Sequence, residues 1–234
     1  MSKEIKQIIT NARKENRTFL LEPESKTIMK EIGIATPDFR IATNEKEAKK
    51  FANELGYPIV MKIISPQIVH KTDAGGVRLN INSTNEAKKT FNEIIKTVKK
   101  YDSSAQIKGI LIEKMKPSTT EIIIGITRDT TFGPAVMFGL GGIFVELFKD
   151  VSFRIAPLTE KDAHEMIREI KGLPLLQGFR GAPNVDLSLI VRLLVKISKF
   201  AMEYIDDIKE IDLNPIFAYE KELQVVDARI ILMK

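Results

Sequence analysis

The sequence PIVMKIISPQIVHKTDAGGVRLN, residues 58–80, joins an apolar run to an alternating run through a polar loop. The apolar run is interrupted only by Lys62, as in a strand buried within a sheet. After the loop, apolar residues such as Val77 alternate with polar ones, which is typical of a half-buried strand. The loop contains His70, one of only two histidines in 234 residues, and the pair Gly75–Gly76. The segment therefore predicts two strands connected by a histidine-bearing loop.

Helices and strands alternate around this segment and form a predicted N-terminal lobe of residues 1–106. Ser83 and Glu86 have the spacing of a capping box ahead of a lysine-rich amphipathic helix. The predicted helices are residues 3–16, 23–33, 44–55 and 84–100, and an extended segment, DFRIA, is predicted at residues 38–42. This β-α-β alternation is typical of an α/β lobe.

From residue 107 onward the sequence is rich in predicted strands, and we assign residues 107–234 to a C-terminal lobe. Only short turns separate the strands, so a mostly antiparallel sheet is expected. Thr159 and Asp186 have N-cap positions before two predicted helices. The predicted strands are IKGILIEKM, TEIIIGITR, PAVMFGL, IFVELF, VSFRIA, IKEIDLN and LQVVDARII. The expected fold class is α+β, with two α/β lobes and a cleft between them.

Composition disfavours several classes of protein. With 44% hydrophobic residues, the chain can bury a substantial core, and without cysteine it has no disulfide, catalytic thiolate or cysteine-bound zinc. No apolar run approaches the ~18 residues of a membrane span, so we expect a cytoplasmic protein. The net charge of +5 is spread over helices in which lysine and glutamate are interleaved, so no nucleic-acid partner is expected.

Common catalytic motifs are missing from the sequence. It contains neither a G-x-x-x-x-G-K-[ST] phosphate loop nor a G-x-S-x-G nucleophile motif, and Gly139–Gly142 does not complete G-x-G-x-x-G. His164–Glu165 resembles the start of a zincin helix, but residue 168 is arginine. We therefore interpret His164 as a helix-surface residue.

The loop around His70 has residue types suited to phosphate chemistry. A neutral imidazole is a nitrogen nucleophile toward phosphorus, Asp73 could fix its tautomer, and Lys71 adds positive charge. Gly75 and Gly76 would let backbone amides approach a phosphate, because glycine has no Cβ atom. A single histidine in a loop is also a common surface residue, so the residues alone leave both interpretations open.

Three charged residues interrupt or flank the apolar strands. Lys62 could extend to solvent, or it could hold a nucleotide phosphate from a rigid strand. Glu113 and Glu121 could face solvent, or they could bind a pair of ribose hydroxyls, with Ile112 and Met115 forming an apolar slot for adenine.

Polar residues also occur in the two final strands, EIDLNP and VVDARI. A hairpin of these strands can place Asn214 and Asp227 side by side, near Asp212. One amide oxygen and one carboxylate would leave most positions of an octahedral Mg²⁺ free for water and phosphate oxygens. The alternative is that Asn214–Pro215 is turn chemistry and Asp227 is only a strand-end residue.

Taken in order, three segments resemble the ATP-grasp β subunit of ADP-forming acetyl-CoA synthetases and, more distantly, the β subunit of succinyl-CoA synthetase. The segments span almost the whole chain. They are VMKIISPQIVHKTDAGGVRLNI, ILIEKMKPSTTEIIIGITRDTTFGPAVMFGLGGIFVELFKDVSFRIAPL and EIDLNPIFAYEKELQVVDARI. No single motif among them is decisive, but the ordered set is specific. The resemblance implies an ATP-grasp fold with the nucleotide in the cleft between the lobes.

The resemblance also implies roles for residues that match the family, with ATP or ADP and Mg²⁺ as cofactors. It assigns Lys62 to the nucleotide phosphates, Glu113, Lys114 and Met115 to the adenine hinge, and Glu121 to the ribose. By the same resemblance, Asn214 and Asp227 would hold Mg²⁺. His70 would be a phosphate-carrying histidine, with Asp212 near it when it is phosphorylated.

The family's second subunit is implied as a partner. This chain has no dinucleotide-binding fingerprint and no further domain for CoA, so it resembles half of the enzyme. The implied partner is a CoA-binding α subunit with its own phosphohistidine, in an α2β2 assembly. The implied reaction converts acyl-CoA, ADP and phosphate into acid, ATP and CoA. The sequence leaves open a self-contained ATP-grasp carboxylate ligase and a non-catalytic nucleotide-sensing module.

Overall fold

A computed structural model describes residues 2–142 and 144–234. It divides the chain into two compact units: a smaller unit of residues 37–117, and a larger unit of residues 1–36 and 118–234. No helix within the described ranges is both long and apolar enough to cross a bilayer. The division differs from the predicted boundary between residues 106 and 107.

The helices are α1 (Lys3–Lys14), α2 (Glu22–Glu31), α3 (Glu45–Leu55), α4 (Thr84–Tyr101), α5 (Glu160–Glu169), α6 (Leu173–Leu176) and α7 (Leu187–Glu203). The strands are β1 (Phe39–Ala42), β2 (Ile59–Ile64), β3 (Val77–Ile81), β4 (Gly109–Lys114), β5 (Thr120–Asp129), β6 (Gly133–Leu140), β7 (Val151–Ile155), β8 (Ile208–Ala218), β9 (Leu223–Val225) and β10 (Ala228–Leu232).

Two long-range pairings explain the different boundary. β4 lies beyond residue 106, yet it is an inner strand of the smaller unit's sheet, whose order is β1-β4-β2-β3. The N-terminal helices α1 and α2 contribute Ile5, Ile9 and Ile28 to the core of the larger unit. Apolar periodicity predicts each element but not its partner, so a division drawn along the sequence missed both pairings.

The smaller unit has its helices on one face of the sheet. Ile59, Met61 and Ile63 of β2 belong to its core, together with residues of α3 and α4. Val60 and Lys62 alternate with them and lie on the opposite face, where they are also buried. The strand is therefore buried on both sides, as its nearly continuous apolar sequence predicts.

The larger unit contains a six-stranded sheet with the path β10-β8-β5-β6-β7, and β9 pairs with β8. Each of these pairings is antiparallel, which confirms the expected antiparallel sheet. The helices pack on the face that contains Ile122, Ile124 and Phe138. Polar residues of β8 such as Asp212 point to the other face, because they alternate with the buried Ile211.

The predicted helix caps form. Thr159 and Asp162 exchange hydrogen bonds as a capping box at α5, and Asp186 accepts a hydrogen bond from the amide of Ser188 at 2.9 Å. The Ser83 hydroxyl accepts a hydrogen bond from the amide of Glu86 at 3.2 Å. The Glu86 carboxylate accepts one from the amide of Asn82 rather than from that of Ser83. Each cap satisfies amides that helix geometry leaves without partners.

Two strand predictions were wrong in detail. IFVELF was predicted to be a strand, but Phe144–Phe148 form a π-helix, and Ile143 lies outside the described residues. β6 and β7 pair directly, so the segment between them can only be a connection. LQVVDARII forms two strands rather than one, and Asp227 lies in the gap between β9 and β10.

Candidate nucleotide and phosphohistidine site

Lys62 and Glu113 form a buried ion pair in the smaller unit. Lys62 lies in β2 and Glu113 in β4, and the register pairs Lys62 with Leu111 and Val60 with Glu113. Both charged side chains are therefore on one face of the sheet, diagonally opposite each other. Nζ of Lys62 lies 2.9 Å from Oε1 of Glu113, and only 8% and 2% of the two side chains are exposed. Neither residue faces solvent, which removes the solvent-facing alternative for both.

Within the predicted adenine hinge, Glu113–Met115, the last two residues are bound to their own unit by hydrogen bonds. The Lys114 amide donates to the Asp38 carbonyl at 3.0 Å, and its ammonium donates to the Tyr57 carbonyl at 2.7 Å. The Met115 amide donates to the Pro58 carbonyl at 3.0 Å. These contacts give both residues a structural role, and their contact with adenine stays a prediction.

His70 lies at the exposed part of the loop between β2 and β3. Its neighbour Val69 is 47% exposed, whereas Ile68 and Ala74 on either side of the exposed stretch are buried in the core of the smaller unit. Across residues 2–142 and 144–234, no hydrogen bond or ion pair joins the side chains of His70 and Asp73. The tautomer-fixing role predicted for Asp73 is therefore unsupported in this conformation.

Gly75 and Gly76 are explained by local packing. Their amides donate to the Thr72 and Lys71 carbonyls at 2.9 and 2.7 Å, so both donors are used within the loop. A Cβ at Gly76 would overlap the Ile63 side chain, and Gly75 has a φ of +63°. Glycine is needed here for the turn and the close approach to β2. The phosphate-binding role predicted for this pair remains a prediction.

Glu121 lies beside the Gly141–Gly142 turn in the larger unit. The Gly141 amide donates to the Glu121 carbonyl at 2.8 Å, next to the Ile122–Leu140 pair of the sheet. A cavity of about 280 Å³ opens at this point. Its lining residues are Thr119, Thr120, Glu121, Leu140, Gly141, Gly142 and Leu175. The structure thus brings the predicted ribose-binding carboxylate to a cavity large enough for part of a ligand.

Asn214 and Asp227 meet across the β8–β10 pairing, as the sequence predicted. Leu213 pairs with Ala228, and the Asn214 amide donates to the Asp227 carbonyl at 3.3 Å. Asp212 lies on the same strand two residues from Asn214 and therefore on the same face. The hairpin thus places three polar side chains of the prediction together.

Burial raises the pKa of the Asp212 carboxyl to about 6, and the negative charges of Asp227 and Glu210 act in the same direction. Arg229 opposes them with a smaller effect. Carboxylates that repel one another in a partly buried position are stabilised by a bound cation.

The donor set at this hairpin fits Mg²⁺. Asn214 and Asp227 supply only oxygen atoms, which are the ligands that Mg²⁺ prefers. In the part of the chain that the structure describes, no three histidine or acidic residues converge as a closed metal cage. An ion held here would therefore keep most of its ligands as water or phosphate, as Mg²⁺ bound to a nucleotide does.

Sequence reasoning missed two contacts of these residues. It assigned Glu113 to the adenine hinge and gave no partner to Lys62, although the two side chains pair directly. It also gave no contact to Gly139–Gly142. The contact of the Gly139–Gly142 segment could have been predicted from the lengths of the β5 and β6 runs. A hairpin that pairs Ile122 with Leu140 brings Gly141 next to Glu121.

Comparison with known proteins identifies the fold family. A family model described as an ATP-grasp domain matches residues 11–232. The β subunit of ADP-forming acetate–CoA ligase I from Pyrococcus furiosus is 53% identical over 227 residues, which is 97% of each chain. These matches confirm the predicted ATP-grasp fold and the resemblance drawn from the sequence.

Solved structures agree with this assignment. Acetyl-coenzyme A synthetase 1 of Ca. Korarchaeum cryptofilum, in complex with coenzyme A and Ca-AMPCP, has a TM-score of 0.94 and 48% identity, covering 97% of this chain and 99% of that chain. A second structure of that enzyme contains Mg-AMPPCP, with its phosphohistidine segment pointing towards the nucleotide binding site. Its TM-score is 0.86 and its identity 44%, covering 98% of this chain and 100% of that chain. The chain therefore belongs to the ATP-grasp β subunits of the ADP-forming acetate–CoA ligases.

Proposed function

We propose that this chain is the nucleotide-binding subunit of an ADP-forming acyl-CoA synthetase and that His70 carries the phosphoryl group to Mg-ADP. The observation that carries the proposal is the exposed position of His70 on a loop that returns directly to the strand of Lys62. The Ile63 amide donates to the Gly76 carbonyl at 2.8 Å, and Lys62 pairs with Val77. The carrier loop and the phosphate-binding lysine thus share one strand pair.

In this proposal the chain's residues supply positioning and charge. Phosphohistidine and ADP yield histidine and ATP, because the N–P bond breaks as a new O–P bond forms to the terminal phosphate of ADP. Lys62 offsets negative charge on the phosphates, and Glu121 holds the ribose. Mg²⁺ on Asn214 and Asp227 would add charge neutralisation at the phosphate oxygens.

The proposed partner is a CoA-binding α subunit with a phosphohistidine of its own. Support comes from the relatives, which are β subunits by name and are matched over nearly their full length. We propose an α2β2 assembly in the cytoplasm. The overall reaction is acyl-CoA, ADP and phosphate to acid, ATP and CoA, in either direction.

Labelling tests the carrier. Incubation of the enzyme with its partner subunit, Mg²⁺ and γ-³²P-ATP should label this chain with an acid-labile, base-stable phosphoryl group. His70→Asn should abolish the label on this chain, while His164→Asn, which changes the only other histidine, should retain it. Undiminished labelling of the His70 variant would remove His70 from the pathway.

A further inference from the structure

The geometry points to Glu113 as a positioning residue that holds Lys62 toward the nucleotide phosphates. This inference deepens the proposed function, since it rests on Lys62 binding phosphate. It gives Glu113 a task different from the base contact implied by the family resemblance. The Lys62–Glu113 ion pair, the burial of both side chains and their place on the sheet carry the argument.

Both ends of the pair are fixed by rigid backbone. Lys62 and Glu113 belong to the two inner strands of the sheet, and the β2–β4 register runs unbroken from Ile59–Lys114 to Ile64–Gly109. A side chain fixed by an inner strand and by a charged partner has few alternative positions. Such support from a second residue is what keeps a ligand-binding group in its productive geometry.

The pair lies on the face of the sheet away from the unit's core. Met61 and Ile112, on the alternate face, belong to the core with α3 and α4, and neither Lys62 nor Glu113 does. Packing of the helices therefore does not require these two side chains. An apolar pair would bury more favourably, because removing two charges from water costs more than their attraction commonly returns.

Charge explains why the carboxylate is needed if Lys62 binds a phosphate. An ammonium with 8% of its side chain exposed is destabilised as a cation unless an opposite charge lies close to it. Glu113 supplies that charge at 2.9 Å. Without it, Lys62 would be both less well oriented and less favourable as a cation.

Glu113 also lies at the junction of the two predicted parts of the nucleotide site. It is the first residue of the predicted adenine hinge, followed by Lys114 and Met115. Its carboxylate contacts Lys62, the residue predicted to bind the nucleotide phosphates. A carboxylate in that position can act through the lysine or directly on the base. The two roles differ in whether binding of a ligand without phosphates depends on Glu113.

The experiment uses Glu113→Gln in the enzyme assembled with its partner subunit, because glutamine keeps the shape and removes the charge. We expect kcat/KM for ADP to fall on the order of 10–100-fold, through a higher KM and a lower kcat. This is the range found at metal sites when a residue that orients a ligating side chain is removed. The Ki of adenosine as a competitor of ADP should stay within about twofold of the native value, as it has no phosphate.

The matched control is Glu22→Gln, which removes the carboxylate from the Lys26–Glu22 ion pair in the other unit, at 3.0 Å. Its kcat/KM should be unchanged below its unfolding temperature. A second variant, Lys62→Met, should make Glu113→Gln ineffective: adding the second change should alter the Mg-ADP dissociation constant by less than about twofold, because the two residues act as one unit.

Three results would overturn the inference. They are an adenosine Ki that rises in step with the KM for ADP, unchanged kinetics in Glu113→Gln, or additive effects of the two substitutions on Mg-ADP binding. Failure of the proposed function looks different. In that case the native enzyme would neither bind Mg-ADP nor label at His70, whatever residue stands at position 113.

Discussion

Among the residues that the structure describes, two Lys–Glu pairs are buried and have similar dimensions. Lys62–Glu113 joins two strands of the smaller unit at 2.9 Å, with 8% and 2% of the side chains exposed. Lys26–Glu22 spans one turn of α2 in the larger unit at 3.0 Å, with 0% and 2% exposed. Distance and burial are therefore similar in the two pairs, and they cannot by themselves identify a functional pair.

Position distinguishes the two pairs. Lys62 is on the strand that leads into the His70 loop, and Glu113 is the first residue of the predicted adenine hinge. Glu22 and Lys26 lie on a helix that also contributes Ile28 and Met29 to the main core. If Lys62 binds phosphate as proposed, the comparison teaches that position in the fold, rather than distance or burial, distinguishes a functional charge pair from a structural one.

The largest expected difference comes from removing each lysine. Lys62→Met should lower kcat by about 10²–10³-fold, the effect of losing one preorganised electrostatic group. Lys26→Met should leave kcat of the folded enzyme within twofold but lower its stability by ~3–5 kcal/mol, because Glu22 loses its charged partner in a buried position. Steady-state ATP synthesis and urea unfolding measure the two quantities.

A charge-free double substitution provides the control for this contrast. Glu22→Leu with Lys26→Met should recover most of the stability, since an apolar pair replaces a buried ion pair at little cost. Glu113→Leu with Lys62→Met should remain inactive even if equally stable. Equal loss of kcat in Lys26→Met and Lys62→Met, measured well below both unfolding temperatures, would contradict the distinction between the pairs.

Asp212 sharpens the comparison as a partly buried carboxylate for which no ion pair is found among the described residues. Its folded pKa is about 6 against an ordinary 3.8, a shift worth at most ~3 kcal/mol, reduced by its partial exposure to roughly 1–2 kcal/mol. Because the folded pKa is raised, the charged carboxylate destabilises the metal-free protein at pH values above 6. That cost disappears as the pH falls from 6 to below 4.

Asp212→Asn should therefore stabilise the metal-free chain by roughly 1–2 kcal/mol at pH 8 and by almost nothing at pH 4. Urea unfolding in EDTA at the two pH values checks this. Asp102→Asn is the comparison of opposite sign, because hydrogen bonds from Ser104 lower the pKa of the Asp102 carboxyl. A gain that is the same at both pH values would show that ionisation of Asp212 is not its cause.

The smallest effect is expected for an exposed pair of the same residue types. Lys50 and Glu54 are one helical turn apart in α3, at 3.8 Å, with 69% and 44% of the side chains exposed. Lys50→Gln should change the free energy of unfolding by less than ~0.5 kcal/mol, because water and salt screen the attraction. Thermal unfolding in low and high salt measures it, and a loss above 1 kcal/mol would mean that burial is not what separates these pairs.

The two buried pairs also show how far a sequence can predict a site. The spacing of Glu22 and Lys26 can be read directly as neighbours on a helix. Lys62 and Glu113 are far apart in the sequence, and their contact depends on the register of β2 against β4. Periodicity predicts that both segments are strands, but strand order is a property of the whole fold.

The same limit applies to the division of the chain, but less to the metal site. The predicted boundary placed β4 in the C-terminal lobe and the N-terminal helices in the N-terminal lobe. In the structure β4 belongs to the sheet of the smaller unit and the helices to the core of the larger unit, because only long-range packing decides their partners. The adjacency of Asn214 and Asp227 was predicted correctly, because both residues lie in the last strand region of the chain, where short connections favour antiparallel pairing. Their role toward Mg²⁺ stays a prediction. Roles on the ligand, such as ribose binding by Glu121, were one of two alternatives from the residues alone; the family resemblance favoured one of them, and they stay predictions.

The buried residues on either side of His70 limit how far its loop can move. Ile68 and Ala74 are held in the core, which leaves five residues between these anchors. His70 is two residues from Ile68, so its Cα can lie at most ~7 Å from that anchor while the anchor holds. A longer reach would have to pull Ile68 out of the core, at a cost of ~1.5–3 kcal/mol. If His70 carries a phosphoryl group as proposed, the burial of Ile68 therefore limits how far the histidine can move.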